Sequence, residues 1–171
     1  MVNALRIVRH RFAVALLVAL AATGAGRSHA ATDIVDTLSR MDGFGTLLRA
    51  LASTGLDHTL RGPGPFTLFA PTDAAFAVVD EDGGGRLAAL LAPENRAALA
   101  ALLARHVVPG TVTLEKIDAR PLQVQTVEGS SITLLVIMHN VYVDHYGRVL
   151  RAGIPAGNGV IHVIDRVVAP Q

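Results

Sequence analysis

The chain predicts an α+β domain, with helices first and a mostly antiparallel sheet afterwards. Two observations carry that class. Through the first hundred or so residues apolar side chains recur at helical spacing, as at Phe44, Leu47, Leu48 and Leu51. From Leu122 onward the period drops to two, in short runs separated by turn residues. Helices packed on a β-wedge or sandwich bury both patterns at once.

The elements follow in order. Thr32 or Asp33 caps a short helix carrying Ile34, Val35 and Leu38. The Phe44–Leu51 face makes a second helix, and Gly55 stands where a left-handed residue ends one. Gly62-Pro63-Gly64-Pro65 breaks the chain, and Phe66 to Ala70 reads as a short buried strand stopped by Pro71. Thr72 caps a helix with Ala75 and Phe76. After an acidic, glycine-rich loop from Asp80, Leu87, Leu90 and Leu91 share a helical face. Pro93 opens the next helix, whose Leu99, Leu102 and Leu103 point inward. Strands are then expected at 122–127, 132–138, 141–143, 148–151 and 160–168. His139-Asn140, Tyr146-Gly147 and Asn158-Gly159 lie in their connections. The last run, Val160 to Val168, is nearly all apolar, as a strand covered on both faces requires.

Ahead of the domain stands a secretory pattern. Arg6, Arg9, His10 and Arg11 form a basic start, and Phe12 to Ala22 runs eleven residues without a charge. Ser28 and Ala30 then set small side chains at −3 and −1 of a cut after Ala30. The apolar run falls short of the roughly 20 residues a membrane span needs. The expectation is a cleavable signal peptide at 1–30 and one domain at 31–171. That product would be secreted or periplasmic, with no membrane insertion after cleavage.

Cleavage changes the charge. The whole chain carries 15 Lys+Arg against 14 Asp+Glu, a net +1. Without Arg6, Arg9, Arg11 and Arg27 the balance is 11 against 14, or −3. No basic run remains, which argues against nucleic-acid binding and against electrostatic docking on anionic lipid. There is no cysteine, so thiol nucleophiles, Cys-based zinc sites and disulfides are out.

Two segments reach beyond patterning. They are Gly64-Pro65-Phe66-Thr67-Leu68-Phe69-Ala70-Pro71-Thr72-Asp73-Ala74-Ala75-Phe76 and Asn158-Gly159-Val160-Ile161-His162-Val163-Ile164-Asp165-Arg166-Val167-Val168-Ala169-Pro170. Together they resemble the two signature segments of the fasciclin domain. His106-Val107-Val108-Pro109-Gly110 resembles the family's central histidine segment, and Leu47 to Leu60 its leading helices. The resemblance implies a fasciclin-like fold in which Thr72, Asp73, Phe76, Asn158, Gly159, His162 and Asp165 are framework. It also implies a non-enzymatic adhesion or recognition module, of the kind found in small exported bacterial proteins. Its partner would be an extracellular or envelope protein or a glycan, and no cofactor is implied. In animal members, integrin contact is associated with a Tyr-His pair and with an acid before an Ile. Here those positions hold Arg105-His106 and Gly153-Ile154, so integrin binding is not carried over.

The residues themselves offer little catalytic chemistry. Gly129-Ser130-Ser131 lacks the elbow that exposes a nucleophilic serine. Asp80-x-Asp82-Gly83 opens like a calcium loop, but the twelfth position is Leu91 where a glutamate is needed. His139 and His145 flank one short strand beside Asp144, which leaves a metal or small-molecule carrier as the alternative function. The surface expected to meet a partner is Arg105, His106 and the 139–147 hairpin, with His139, His145 and Tyr146.

Overall fold

A computed structural model describes residues 32–80, 85–114, 117 and 120–169. The leader, its cut after Ala30 and most of the acidic loop after Asp80 lie outside these residues. No helix among the described residues is long and apolar enough to cross a membrane.

Helix α1 (Ile34–Ser39) starts at Asp33, whose carboxylate accepts the Asp36 N–H at 2.8 Å. Helix α2 (Gly45–Thr54) ends on Gly55, left-handed at φ +80°, and α3 (Leu56–Leu60) follows directly. Strand β1 (Phe66–Pro71) leads into α4 (Asp73–Val78), where the Thr72 hydroxyl accepts the Ala75 N–H at 3.1 Å. Helix α5 (Arg86–Leu91) rests Leu87, Leu90 and Leu91 partly buried against the core. Pro93 opens a three-residue 3-10 turn, Pro93–Asn95, and the α-helical winding of α6 (Arg96–Arg105) begins after it.

Six further strands follow among the described residues: β2 (Val107–Pro109), β3 (Leu122–Gln125), β4 (Ser131–Ile137), β5 (Asn140–Val143), β6 (Gly147–Ala156) and β7 (Gly159–Ile164). They join β1 in one sheet of order β2-β1-β7-β6-β5-β4-β3. The β1–β7 pair is parallel and the other pairs are antiparallel. Strand β6 outruns its sequence expectation because two register shifts, one spanning the left-handed Gly153, carry it around a bend. Strand β7 stops at Ile164, short of the expected Val168, where Asp165 turns its carboxylate onto the Arg148 N–H at 2.8 Å.

That bend makes the wedge. The start of β6 pairs with β5 and the rest with β7, so the two halves of the sheet fold toward each other. Leu68, Ala70, Ile161 and Val163 face the helical core with Leu47, Leu51, Phe76 and Leu103. The opposite face of β1 and β7 gives Phe69 and Ile164 to a second core with Ile132, Leu134 and Val143. Both sides of β7 are thus covered, which explains its unbroken apolar run.

Candidate functional site

The turn between β5 and β6 stands on a buried ion pair. Asp144 and His145 adopt left-handed conformations, φ +49° and +71°, the geometry of a tight hairpin. Asp144 is buried beneath that turn, and its Oδ2 accepts from Arg105 Nη2 at 2.9 Å. Its Oδ1 accepts the Thr133 N–H at 2.7 Å. Arg105 closes α6 and donates its other terminal nitrogen to Ser130 Oγ at 2.7 Å, with Glu128 4.0 Å away. The guanidinium therefore ties a helix end to both turns at this end of the sheet. Its Nε is buried without a partner.

Arg105 and His106, expected on an exposed patch, are inside the protein. His106 is 1 % exposed. Its Nδ1 faces the Leu102 carbonyl at 2.7 Å, and its Nε2 accepts the Val168 N–H at 2.9 Å. An N–H pointing at Nε2 requires a lone pair there, so the ring is neutral and donates from Nδ1. Burial is the main cause that pushes its pKa down to about 4. The Arg105 charge acts in the same direction, against the Leu102 bond and Asp144.

The remaining three expected contact residues are exposed but divided between two ends of the sheet. His145 and Tyr146 sit on the ion-paired turn. Tyr146 accepts the Ala169 N–H and donates to the Ala169 carbonyl, both at 3.0 Å, which pins the C-terminal segment. Burial raises its phenol pKa. His139 lies in the Met138–His139 turn at the far end of β5. The strand between them, Asn140–Val143, alone rises about 10 Å at about 3.4 Å per residue, so the two imidazoles stand at opposite ends of β5. Among the described residues no group of three or more His, Cys, Asp or Glu is placed to hold one.

A groove runs from the ion pair along α6. One cleft of about 320 Å³ is lined by Leu90, Ala98, Ala101, Leu102, Arg105 and Glu128. A second of about 270 Å³ shares Leu90 and Leu102 with it and extends to Val79, Arg86, Val167 and Ala169. Sequence reading did not find this groove. Ala98 and Ala101 look like ordinary helix formers, and no local signal links Arg105 to Asp144 across 39 positions.

Of the framework residues, Thr72, Asp73, Asn158, His162 and Asp165 hydrogen-bond to backbone. Asp73 accepts the Gly45 and Thr46 N–H groups at 3.2 and 2.7 Å, so neighbouring Thr72 and Asp73 cap two different helices. Burial opposes ionisation of Asp73, but these hydrogen bonds and the charge of Arg49 win, and its pKa is lowered. Replacing it with Ala is expected to cost about 1 kcal/mol in chemical denaturation, the usual worth of a cap. Phe76 fills the helical core. Asn158 accepts the Ile34 N–H at 3.0 Å and donates to the Leu60 and Gly62 carbonyls at 2.6 and 2.9 Å. A Cβ on Gly159 would lie 2.0 Å from the Phe66 carbonyl oxygen, so only glycine fits there. His162 stacks on Phe69, accepts the Gly153 N–H at 3.1 Å and donates to the Val112 carbonyl at 2.8 Å. Burial lowers its pKa, with the Val112 bond acting the other way.

The chain is similar to known proteins over most of its length. The fasciclin domain model matches residues 42–170. Protein sll1483 of Synechocystis sp. is 39% identical over 147 residues, covering 84% of this chain and 78% of that protein. Transforming growth factor-beta-induced protein ig-h3 of Sus scrofa is 32% identical over 130 residues, which is 76% of this chain but 18% of that larger protein. A FAS1 domain pair from the insect cell adhesion molecule fasciclin I superposes with a TM-score of 0.72 at 18% identity, over 81% of this chain and 51% of that one. With its helices, its wedge-shaped sheet and nearly the whole of 42–170 in register, the chain belongs to the fasciclin family.

Proposed function

We propose that this protein is an exported, non-enzymatic recognition module that grips a protein partner in the groove along α6. The observation that carries the reading is the continuity of the two clefts through Leu90 and Leu102. Their mostly apolar walls suit the side chains of an extended segment, with Arg105 and Glu128 as polar groups in one cleft and Arg86 in the other. The groove is rigidly built, because the Arg105–Asp144 pair fixes one end and the Tyr146–Ala169 bonds fix the other wall. The occurrence of this domain in an insect cell adhesion molecule supports an adhesion-type role. Glycan recognition is less favoured, since the groove offers apolar walls and no aromatic platform. The carrier alternative keeps only a cleft of about 310 Å³ beside His162, whose ring nitrogens are both already engaged.

A photo-crosslinking amino acid at Ala101, inside the groove, tests the proposal against the same group at Thr59, which is exposed on α3. In the envelope fraction of the producing cell, position 101 is expected to give a discrete protein adduct that position 59 does not. Equal labelling at both positions, or none at 101, refutes it.

A further inference from the structure

The β4–β5 hairpin ends in an apolar tip. Met138 is 87 % exposed, Leu150 47 %, Ile137 42 % and Val136 40 %, in a molecule whose other large apolar side chains are mostly covered. Ile137 pairs with Asn140 and closes the hairpin, with Met138 at the apex. Leu150 stands on the neighbouring strand, two residues beyond Arg148, which pairs with Tyr142, at the first register shift of β6. Leu135, Tyr142 and Arg148 form the next row back.

Cations stand on both sides of this tip. Leu122, the first residue of β3, pairs with Leu134, and exposed Arg120 stands two residues before it at the tip end of that strand. Exposed Arg151 lies three residues beyond Arg148, at the level of His139 to within the register shift of β6. The nearest described carboxylate on the outer sheet, Asp165, accepts the Arg148 N–H a row behind, and Glu128 and Asp144 are at the opposite end. No basic run marks the sequence, because Arg120 and Arg151 belong to strands on either side of the hairpin. The net −3 of the domain averages over the whole surface and hides this local arrangement.

We infer that the Val136–Met138 tip is an interfacial anchor that seats the domain on an anionic lipid surface. The apolar apex enters the headgroup region while Arg120 and Arg151 meet lipid phosphates on either side. A protein partner fits the tip less well. Four apolar side chains on a convex turn offer far less than the roughly 800 Å² per partner of a stable protein interface. A shallow lipid insertion needs only such a protrusion.

The absence of cysteine allows a direct test on the protein as its producing cell processes it. Met138→Cys and, at the far end, His145→Cys each take one environment-sensitive fluorophore. Vesicles of 30% phosphatidylserine in phosphatidylcholine are expected to blue-shift the probe at 138 and leave the probe at 145 unmoved. Pure phosphatidylcholine should give little shift at either. Cosedimentation of the unlabelled protein with the anionic vesicles should drop about tenfold or more for Met138→Asp and for Arg120→Glu/Arg151→Glu. The milder Met138→Gln serves if Met138→Asp misfolds. No shift at 138, equal shifts at both sites, or undiminished binding by the variants overturns the inference. So does a change in oligomeric state of Met138→Asp without vesicles, which would make the tip a protein contact.

Discussion

Replacing Asp144 with Ala is expected to destabilise the protein by about 3–5 kcal/mol, the usual cost of removing one partner from a buried ion pair. Both side chains of the pair are only 11% exposed, so the Arg105 guanidinium would keep its charge with little water to screen it. The Thr133 N–H would lose its acceptor in the same step. Arg105→Ala should be similarly severe, because it leaves Asp144 uncompensated and takes from the Ser130 hydroxyl the donor it accepts from. The double variant Arg105→Ala/Asp144→Ala should cost much less than the two single changes added together, since no charge is then buried alone. Urea denaturation of the four proteins in a cycle measures this. A single-variant cost below about 1 kcal/mol would mean the pair behaves like a surface one. Because the same guanidinium closes the groove along α6, Asp144→Ala should also weaken crosslinking at position 101 before the fold is lost.

Acid should loosen the protein well above the pH where carboxylates titrate. His106 is neutral in the folded state with a pKa of about 4, whereas in the unfolded chain it returns to about 6.5. Above pH 6.5 neither state binds the proton, and stability is at its full value. As pH falls from 6.5 to 4 the unfolded state takes up a proton that the folded state refuses, so stability declines. Over that window the loss amounts to about 3 kcal/mol. His162, lowered by burial in the same direction, adds to the slope. Below pH 4 the His106 contribution levels off, because both states are then protonated. Denaturation midpoints at half-unit steps from pH 7.5 to 4 measure the effect. His106→Gln should be less stable at pH 7 and show a clearly flatter slope. An unchanged slope in that variant would assign the acid sensitivity elsewhere.

The parts of the fold legible in the sequence are those written in local chemistry. The helical spacing of Phe44, Leu47 and Leu51, the glycine at 55 and the threonine at 72 each act within a turn or two, and each element formed where those residues place it. Elements that depend on distant partners were harder to read. Strand β2 has three residues and exists because β1 lies alongside it. The true length of β6 depends on register shifts against β7, and the end of β7 depends on a carboxylate meeting a backbone N–H 17 positions away. The same division governs the site. His145 and Tyr146 lie on a tight turn, and they are exposed. His106 reads as polar and therefore outward, yet it is inside because a backbone N–H 62 positions later completes its hydrogen bonding. No pattern within a window of a dozen residues carries that information.

The parallel pairing of β1 with β7 has a consequence in time. Residues 66–71 sit between two strands, and one of those neighbours is the last strand of the chain. Its residues are synthesised more than ninety positions after β1. Until they arrive, Leu68 and Ala70 face a gap where Ile161 and Val163 belong, and neither core can close. Contacts of such long sequence separation make for slow, late folding. For a growing chain β1 is one side of an open slot, and the two cores close only when β7 slides into it.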